Sequence, residues 1–333
     1  METIHVAFCC DDHYVKPLAV AVRSVLETSL DPKRLHVWLA STAATCDALS
    51  QICAMIEASG SQCTLLPITS MDKLLKGAPA RGHITIAAYY RLFLPEILPV
   101  AVRRVIYLDC DVVVRRAIED LWSVELGGHA IAAVVKPRAQ EFSAVGVRAE
   151  EDYFNSGVLV IDTARWRAEG VCEKALRFAM HHPGCIHGHD QPALNHVFNG
   201  RWARLDRRWN QQFKIFVHTA GYLRVPRQEL RRLRREPYVI HYTTSAKPWQ
   251  PLNEHPLRRC YFEVLDRTPF RGWRPTPAGW RARLTFSAMG VVPLYLRPCV
   301  LRNVLRPYYR SFKDRFLTIQ RSGVERSVSV IVR

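Results

Sequence analysis

One segment constrains the fold more than any other: Arg104-Val105-Ile106-Tyr107-Leu108-Asp109-Cys110-Asp111-Val112-Val113-Val114. A short β-branched apolar run of this kind reads as a buried strand. It ends in two carboxylates spaced i, i+2, and a second apolar run follows. Two buried carboxylates at a strand end are costly unless something compensates their charge. A divalent cation does so, and Mg²⁺ or Mn²⁺ favours a few carboxylates completed by phosphate oxygens. The segment therefore points to a metal–diphosphate site at the edge of a sheet.

The surrounding pattern says which sheet. Ile4–Cys10, Leu35–Ala40, Gln62–Ile68 and Val102–Leu108 read as strands, alternating with helical segments at Lys16–Leu30, Asp47–Ser59 and Thr85–Leu94. Further strands are expected at Ala130–Val135, Gly157–Ile161 and Pro237–Tyr242, and helices at Cys172–His181 and Gln191–Phe198. This rhythm argues for an α/β fold, a largely parallel sheet with helices on both faces. Ligands of such sheets gather beyond the carboxyl ends of the strands. Asp11, Asp12 and His13 follow the first strand as Asp109 and Asp111 follow a later one, so both clusters are expected at one crevice. No Gly-x-Gly-x-x-Gly or Walker loop is present, which removes the standard dinucleotide and P-loop readings.

Charge divides the chain. The net charge is +17 over 333 residues. Residues 271–333 hold thirteen Lys/Arg against two acids, a net of +11. That stretch also carries Trp273, Trp280, Phe286, Tyr295, Tyr308, Tyr309, Phe312 and Phe316. Cations mixed with aromatics suit the interface of an anionic membrane; they also suit nucleic acid or a solvated tail. The membrane is favoured, and no nucleic-acid partner is expected. The division is drawn at residues 1–270 and 271–333. Arg224–Arg235, with six arginines, reads as a solvated helix face. The ten cysteines form no Cys-x-x-Cys pair, so they read as buried free thiols rather than a zinc site. The longest nearly apolar stretch, Leu284–Leu296, is too short to span a bilayer. With no signal-peptide pattern, a cytoplasmic protein is expected.

Four more segments carry chemistry: Tyr89-Tyr90-Arg91-Leu92; Tyr153-Phe154-Asn155-Ser156-Gly157, read as a polar turn before a strand; Asp190-Gln191 opening a helix; and His241-Tyr242 with Lys247-Pro248-Trp249 after the last strand. In order with Asp11-Asp12-His13-Tyr14 and Tyr107-Leu108-Asp109-Cys110-Asp111, they cover residues 3 to about 250. Together they resemble retaining glycosyltransferase family 8, which includes glycogenin and the bacterial lipopolysaccharide galactosyl- and glucosyltransferases. The similarity is closest to the lipopolysaccharide members.

The resemblance implies a GT-A type, Rossmann-like mixed sheet, mostly parallel, with a basic C-terminal helical extension. It implies a UDP-sugar donor, UDP-glucose or UDP-galactose, and retention of anomeric configuration. Asp109, Asp111 and His241 would hold Mn²⁺ or Mg²⁺. Asp11, Asp12, His13 and Tyr14 would lie at the nucleoside, with His13 standing where close relatives carry Asn. Arg91, Cys110 and Asn155 would line the donor, Asp190 would hold sugar hydroxyls, Gln191 would sit near the anomeric carbon, and Lys247 would clamp the diphosphate. Lys136 replaces an acid, and Pro192 a common Asp. The expected acceptor is a glycolipid or oligosaccharide, most readily the lipopolysaccharide core, reached peripherally on the inner face of the cytoplasmic membrane. A capsule or protein acceptor, or a non-catalytic basic membrane- or nucleic-acid-binding module on the same fold, remains the alternative. Blander roles also fit: Asp11, Asp12 and Asp190 as helix caps, Asn155 as a turn residue, His241 as a core histidine, and Lys247 in a solvated turn.

Overall fold

The computed structural model describes residues 2–41, 46–68, 89–185, 190–243, 247–250, 253 and 255–275. In chain order the elements are β1 (Ile4–Cys10), α1 (Val15–Thr28), β2 (Leu35–Ser41), α2 (Asp47–Ala58), β3 (Gln62–Pro67), α3 (Tyr90–Ile97), β4 (Arg104–Leu108), β5 (Val112–Val114), α4 (Ile118–Trp122) and β6 (Ile131–Val135). They continue with β7 (Phe154–Asp162), α5 (Thr163–Ala168), α6 (Val171–His181), α7 (Asp190–Phe198), β8 (Ala203–Arg204), β9 (Gln211–Gln212), α8 (Phe213–Val217), α9 (Ala220–Leu223), α10 (Arg227–Arg235), β10 (Val239–His241) and α11 (Arg258–Leu265).

Seven strands form one sheet in the order β3-β2-β1-β4-β7-β6-β8. β1, β2, β3 and β4 run parallel, β7 runs antiparallel to both β4 and β6, and β8 is parallel to β6. This is the mixed, mostly parallel sheet expected. β1 shows why its strands read as unbroken apolar runs. Val6, Phe8 and Cys10 enter one core with α1 and α2, while Ala7 and Cys9 enter the other with residues of α3 and α5–α7. Burial on both faces removes any polar alternation.

Two local departures from the sequence reading matter for the site. Phe154–Ser156 is not a polar turn before a strand; it is the first part of β7. The β6–β7 ladder pairs Ala133 with Leu159 and then Val134 with Asn155. The resulting bulge takes Ser156, Gly157 and Val158 out of the β6 ladder, while Val158 stays paired with Leu108 of β4. Bulges of this kind re-aim side chains beside active sites. Next, the strand expected at Pro237–Tyr242 is β10, and it belongs to a separate three-stranded sheet, β5-β10-β9.

The chain divides into two compact units, Met1–Lys247 with Arg259–Trp273, and Pro248–Arg258 with Arg274–Arg333. The first holds both cores. Within the second, Arg258 donates from Nε to the carbonyl oxygen of Pro248 at 2.8 Å. The helix expected at Thr85–Leu94 is described only from Tyr89 onward. Nearly all of the basic extension, residues 276–333, lies outside the described residues. No helix among the described residues is long and apolar enough to cross a membrane.

Candidate active site

Backbone pairing assembles the site from distant segments. In the antiparallel β5–β10 ladder His241 faces Val112, and the Tyr242 N–H donates to the Asp111 carbonyl oxygen at 3.0 Å. His241 is thereby fixed beside Asp111. On the other side, the Asp109 N–H donates to the Gly157 carbonyl oxygen at 2.9 Å, extending the β4–β7 ladder past Leu108.

Asp109, Asp111 and His241 bring one ligand atom each to within 4.8 Å of one another. His241 Nε2 lies 3.2 Å from Asp111 Oδ1 and 3.6 Å from Asp109 Oδ2. Each carboxylate has its other oxygen engaged by the protein. Asp109 Oδ1 accepts from the Tyr107 hydroxyl at 2.8 Å and pairs with Arg91 at 3.1 Å. Asp111 Oδ2 is bound by Lys247. Burial works against the charged form of Asp111, yet Lys247 and His241 hold its carboxyl well below the usual range. Two carboxylate oxygens and one imidazole nitrogen converge, a donor set that fits a divalent metal.

The histidine is oriented by a residue that the motifs did not reveal. Asn210, which is buried, donates from Nδ2 to Asn155 Oδ1 at 2.7 Å. Its Oδ1 is therefore the atom 2.8 Å from His241 Nδ1 and accepts from the Nδ1–H, which leaves Nε2 turned toward Asp109 and Asp111. Ordering a ligating imidazole through its second nitrogen is a common device. Asn155 Oδ1 also accepts from the Gly157 N–H at 3.1 Å, and Asn155 Nδ2 donates to Gln191 Oε1 at 2.9 Å. Gln191 Oε1 accepts a second bond from the Ser156 N–H at 3.3 Å, and Nε2 donates to the Tyr153 hydroxyl at 3.4 Å. A chain of amides thus runs from His241 through Asn210 and Asn155 to Gln191.

Gly157 is required by space rather than by its backbone angles. A Cβ on it would overlap His241 Cε1 and lie 2.5 Å from Asp109 Oδ2. Asn195, also missed, binds α7 to β7 through both ends of its amide: Nδ2 donates to the Phe154 carbonyl oxygen at 3.0 Å, and Oδ1 accepts from the Phe154 N–H at 2.8 Å. Asn210 lies in a stretch with no periodic or motif signal, whereas Asn195 lies inside the helix expected at Gln191–Phe198 and was not singled out there.

Arg91, from α3, ties two carboxylates together. Its Nε is 2.9 Å from Asp190 Oδ2, its Nη2 pairs with Asp109, and its Nη1 donates to the Ser156 carbonyl oxygen at 2.7 Å. Asp190 is almost fully buried, and burial pushes its carboxyl up to about 7 despite Arg91. Pro192 is the third residue of α7, where a missing N–H costs no intrahelical bond. Asp11 accepts from the His13 N–H at 3.0 Å, so it does cap a turn, Asp12–Tyr14. Asp12 and His13 are exposed, and Tyr14 is half-buried. β1 and β4 run side by side and parallel, so Asp11 and Asp12 after one and Asp109 and Asp111 after the other share one end of the sheet; burial raises the Tyr14 hydroxyl there. The Cys110 thiol donates to the Cys9 carbonyl oxygen at 3.2 Å. All nine described cysteines are free.

A sequence profile described as Glyco_transf_8, Glycosyl transferase family 8, matches residues 5–252. The chain belongs to glycosyl transferase family 8. General stress protein A of Bacillus subtilis (strain 168) is 30% identical over 277 residues, 80% of this chain and 94% of that protein. Lipopolysaccharide 1,2-glucosyltransferase of Escherichia coli (strain K12) is 28% identical over 284 residues, 83% of this chain and 82% of that one. The chain spans 61% of the length of another relative, glycosyltransferase GlyF of Streptococcus pneumoniae. Among solved structures, galactosyltransferase LgtC in complex with donor and acceptor sugar analogs aligns with a TM-score of 0.69 at 24% identity, covering 84% of this chain and all of that one. This likeness is one of fold. The family assigns glycosyl transfer to the chain, and Asp109, Asp111 and His241 form a group able to hold a divalent metal.

Proposed function

We propose that this family 8 glycosyltransferase is a retaining hexosyltransferase that moves glucose or galactose from a UDP-sugar to a bacterial surface glycolipid, the lipopolysaccharide core being the first candidate. The observation that carries this reading is the amide chain joining His241, a candidate metal ligand, to Gln191. It makes one rigid unit of the metal group and the residue assigned to the anomeric carbon. The similarity to a lipopolysaccharide 1,2-glucosyltransferase supports the acceptor class.

Asp109, Asp111 and His241 would hold Mn²⁺ or Mg²⁺, which when bound would neutralise charge on the donor diphosphate. Lys247 would move from Asp111 to the phosphate oxygens and stabilise the departing UDP. Asp11 and Tyr14 would contact the nucleoside, Asn155 and the Cys110 backbone would line the donor, and Asp190 would receive sugar hydroxyls. Arg91 would act by holding Asp109 and Asp190 in register. Retention needs either a covalent intermediate or same-face attack. Gln191 is a neutral amide, and its Oε1 already accepts two hydrogen bonds, so it is a weak nucleophile. Same-face attack is favoured, with the leaving phosphate taking the acceptor's proton. The basic residues after 275 would hold the enzyme on the inner face of the cytoplasmic membrane.

The test is release of UDP from UDP-glucose and UDP-galactose, with and without Mn²⁺, by the wild type and Asp111→Ala. The wild type should turn over one donor in a metal-dependent way, and a folded Asp111→Ala variant should lose nearly all of it. Metal-independent turnover, or an active Asp111→Ala, refutes the assignment. NMR of the product should show an α-linkage; a β-linkage refutes retention.

A further inference from the structure

The Gln191 amide is held at both ends, and the hydrogen bonds decide which end is which. The Ser156 N–H lies 3.3 Å from one terminal atom of the amide, and a backbone N–H can only donate, so that atom is the oxygen Oε1. The same logic fixes Asn155. The Gly157 N–H identifies its Oδ1 at 3.1 Å, so its Nδ2 is the group that donates to Gln191 Oε1 at 2.9 Å. A flipped Gln191 would set its NH₂ against two donors. The nitrogen end is therefore the one that meets the Tyr153 hydroxyl, at 3.4 Å.

Tyr153 stands immediately before β7 and is 0% exposed. A hydroxyl so deeply buried is costly unless it has a partner, and among the described residues that partner is Gln191 Nε2. The tyrosine is itself pinned. Its N–H donates to the Glu150 carbonyl oxygen at 3.2 Å, and its carbonyl oxygen accepts from the Lys136 N–H at 2.9 Å. Lys136 Nζ, paired with Glu141, lies over the ring at 5.6 Å. The Gln191 main chain is tied to the same segment, because Asn195 Nδ2 donates to the carbonyl oxygens of both Gln191, at 2.9 Å, and Phe154, at 3.0 Å. One group is left over. Nε2 carries two hydrogens and has one partner among the described residues, while Gln191 is only 6% exposed. A buried donor without an acceptor is costly, so the second N–H calls for one.

We infer that Tyr153 is a positioning residue for the transfer: it holds the Gln191 amide so that the second Nε2–H, rather than the oxygen, faces the transferred sugar and donates to one of its oxygens. The inference rests on the placing of Gln191 beside the anomeric carbon in the reading above, and adds how the amide acts there and what orients it. An oxygen that already accepts two hydrogen bonds has little to offer an electron-poor carbon. An N–H can fix a sugar oxygen in the geometry that reacts. Tyr153, fully buried, acts through Gln191 rather than on the substrate.

The experiment uses the full-length protein with UDP-glucose and UDP-galactose in the presence of Mn²⁺, and follows UDP release. Tyr153→Phe removes the hydroxyl and keeps the ring. Its kcat should fall about five- to tenfold while the donor KM and Tm stay close to wild type. Gln191→Ala should fall further, and Tyr153→Phe added to it should cost nothing more, because the effect of the tyrosine passes through the amide. Gln191→Glu keeps both oxygen-side bonds and can accept from the Tyr153 hydroxyl, but it has no N–H; its kcat should drop to the level of Gln191→Ala. An undiminished kcat in Tyr153→Phe, a further loss in the double variant, or wild-type kcat in Gln191→Glu overturns the inference. ¹⁵N NMR of the Gln191 side-chain amide, assigned by its loss in Gln191→Ala, reads the positioning with no donor present. Exchange of its N–H with water should be about five- to tenfold faster in Tyr153→Phe, and an unchanged rate also overturns the inference. Absence of wild-type turnover with both UDP-sugars refutes the donor assignment alone, since the amide signal does not depend on it.

Discussion

Gly157→Ala adds one carbon at the tightest point of the site. The backbone of Gly157 lies within β7 and shows no positive φ, so alanine is not excluded by its torsion angles. The added Cβ would collide with His241 Cε1, lie 2.5 Å from Asp109 Oδ2 and 3.0 Å from His241 Nδ1. Normal carbon contacts start near 3.5 Å, so the ring or the carboxylate must move by about 1 Å. His241 has little freedom to do so: it is 3% exposed, and Nδ1 is held by Asn210 at 2.8 Å. Asp109 is restrained by Tyr107 and Arg91. Overpacking of this kind costs about 1–3 kcal/mol, and losing the imidazole–amide bond adds about 1 kcal/mol. The sum, about 2–4 kcal/mol, corresponds to a fall in Tm of roughly 3–6 °C for a chain of this length. Displaced ligand atoms should also weaken Mn²⁺ binding by about 10–100-fold or more. Calorimetric unfolding and Mn²⁺ titration of the same sample read both effects. Gly221→Ala is the control, because a Cβ there meets nothing within 4 Å. A Gly157→Ala protein with wild-type Tm and Mn²⁺ affinity would show that the close approach is not a constraint.

Asn210→Leu removes both amide bonds that order His241 and Asn155; Mn²⁺ affinity should fall about 10–100-fold while the protein stays folded, and an unchanged affinity refutes the orienting role. Asp190 carries the pH dependence. Its folded-state pKa of about 7 lies above the ordinary 3.8, so between these values the native state binds more protons than the unfolded chain. Its contribution is full below about pH 4 and lost as pH rises toward 7, a change of up to a few kcal/mol. Asp190→Asn should flatten that slope in metal-free urea unfolding at pH 5 and pH 8, and an identical slope in both proteins counts against a raised pKa. Truncation after Pro275, which keeps the Lys16–Trp273 contact of 5.3 Å, should strongly reduce co-sedimentation with anionic vesicles at low salt and leave UDP-sugar hydrolysis intact. Equal vesicle binding by the truncated protein places any membrane contact elsewhere.

What was legible in the sequence and what was not divides along a physical line. The central strands could be read because burial on both faces leaves unbroken runs such as Ile4–Cys10 and Arg104–Leu108. Asp109 and Asp111 stood out because charge at the end of such a run needs a reason. β7 was misread at its start because Asn155 and Ser156 are polar and Gly157 breaks the run, yet all three are buried in the strand. Their polarity is satisfied by Asn210, Gln191 and Arg91, which come from 55, 36 and 65 residues away. No local period encodes such partners. Asn210 was invisible for the same reason: its two bonds reach Asn155 and His241, and nothing in Arg207-Arg208-Trp209-Asn210 marks it. Residues that act along one element announce themselves by spacing, whereas residues that act between elements do so only through burial, partners and strain.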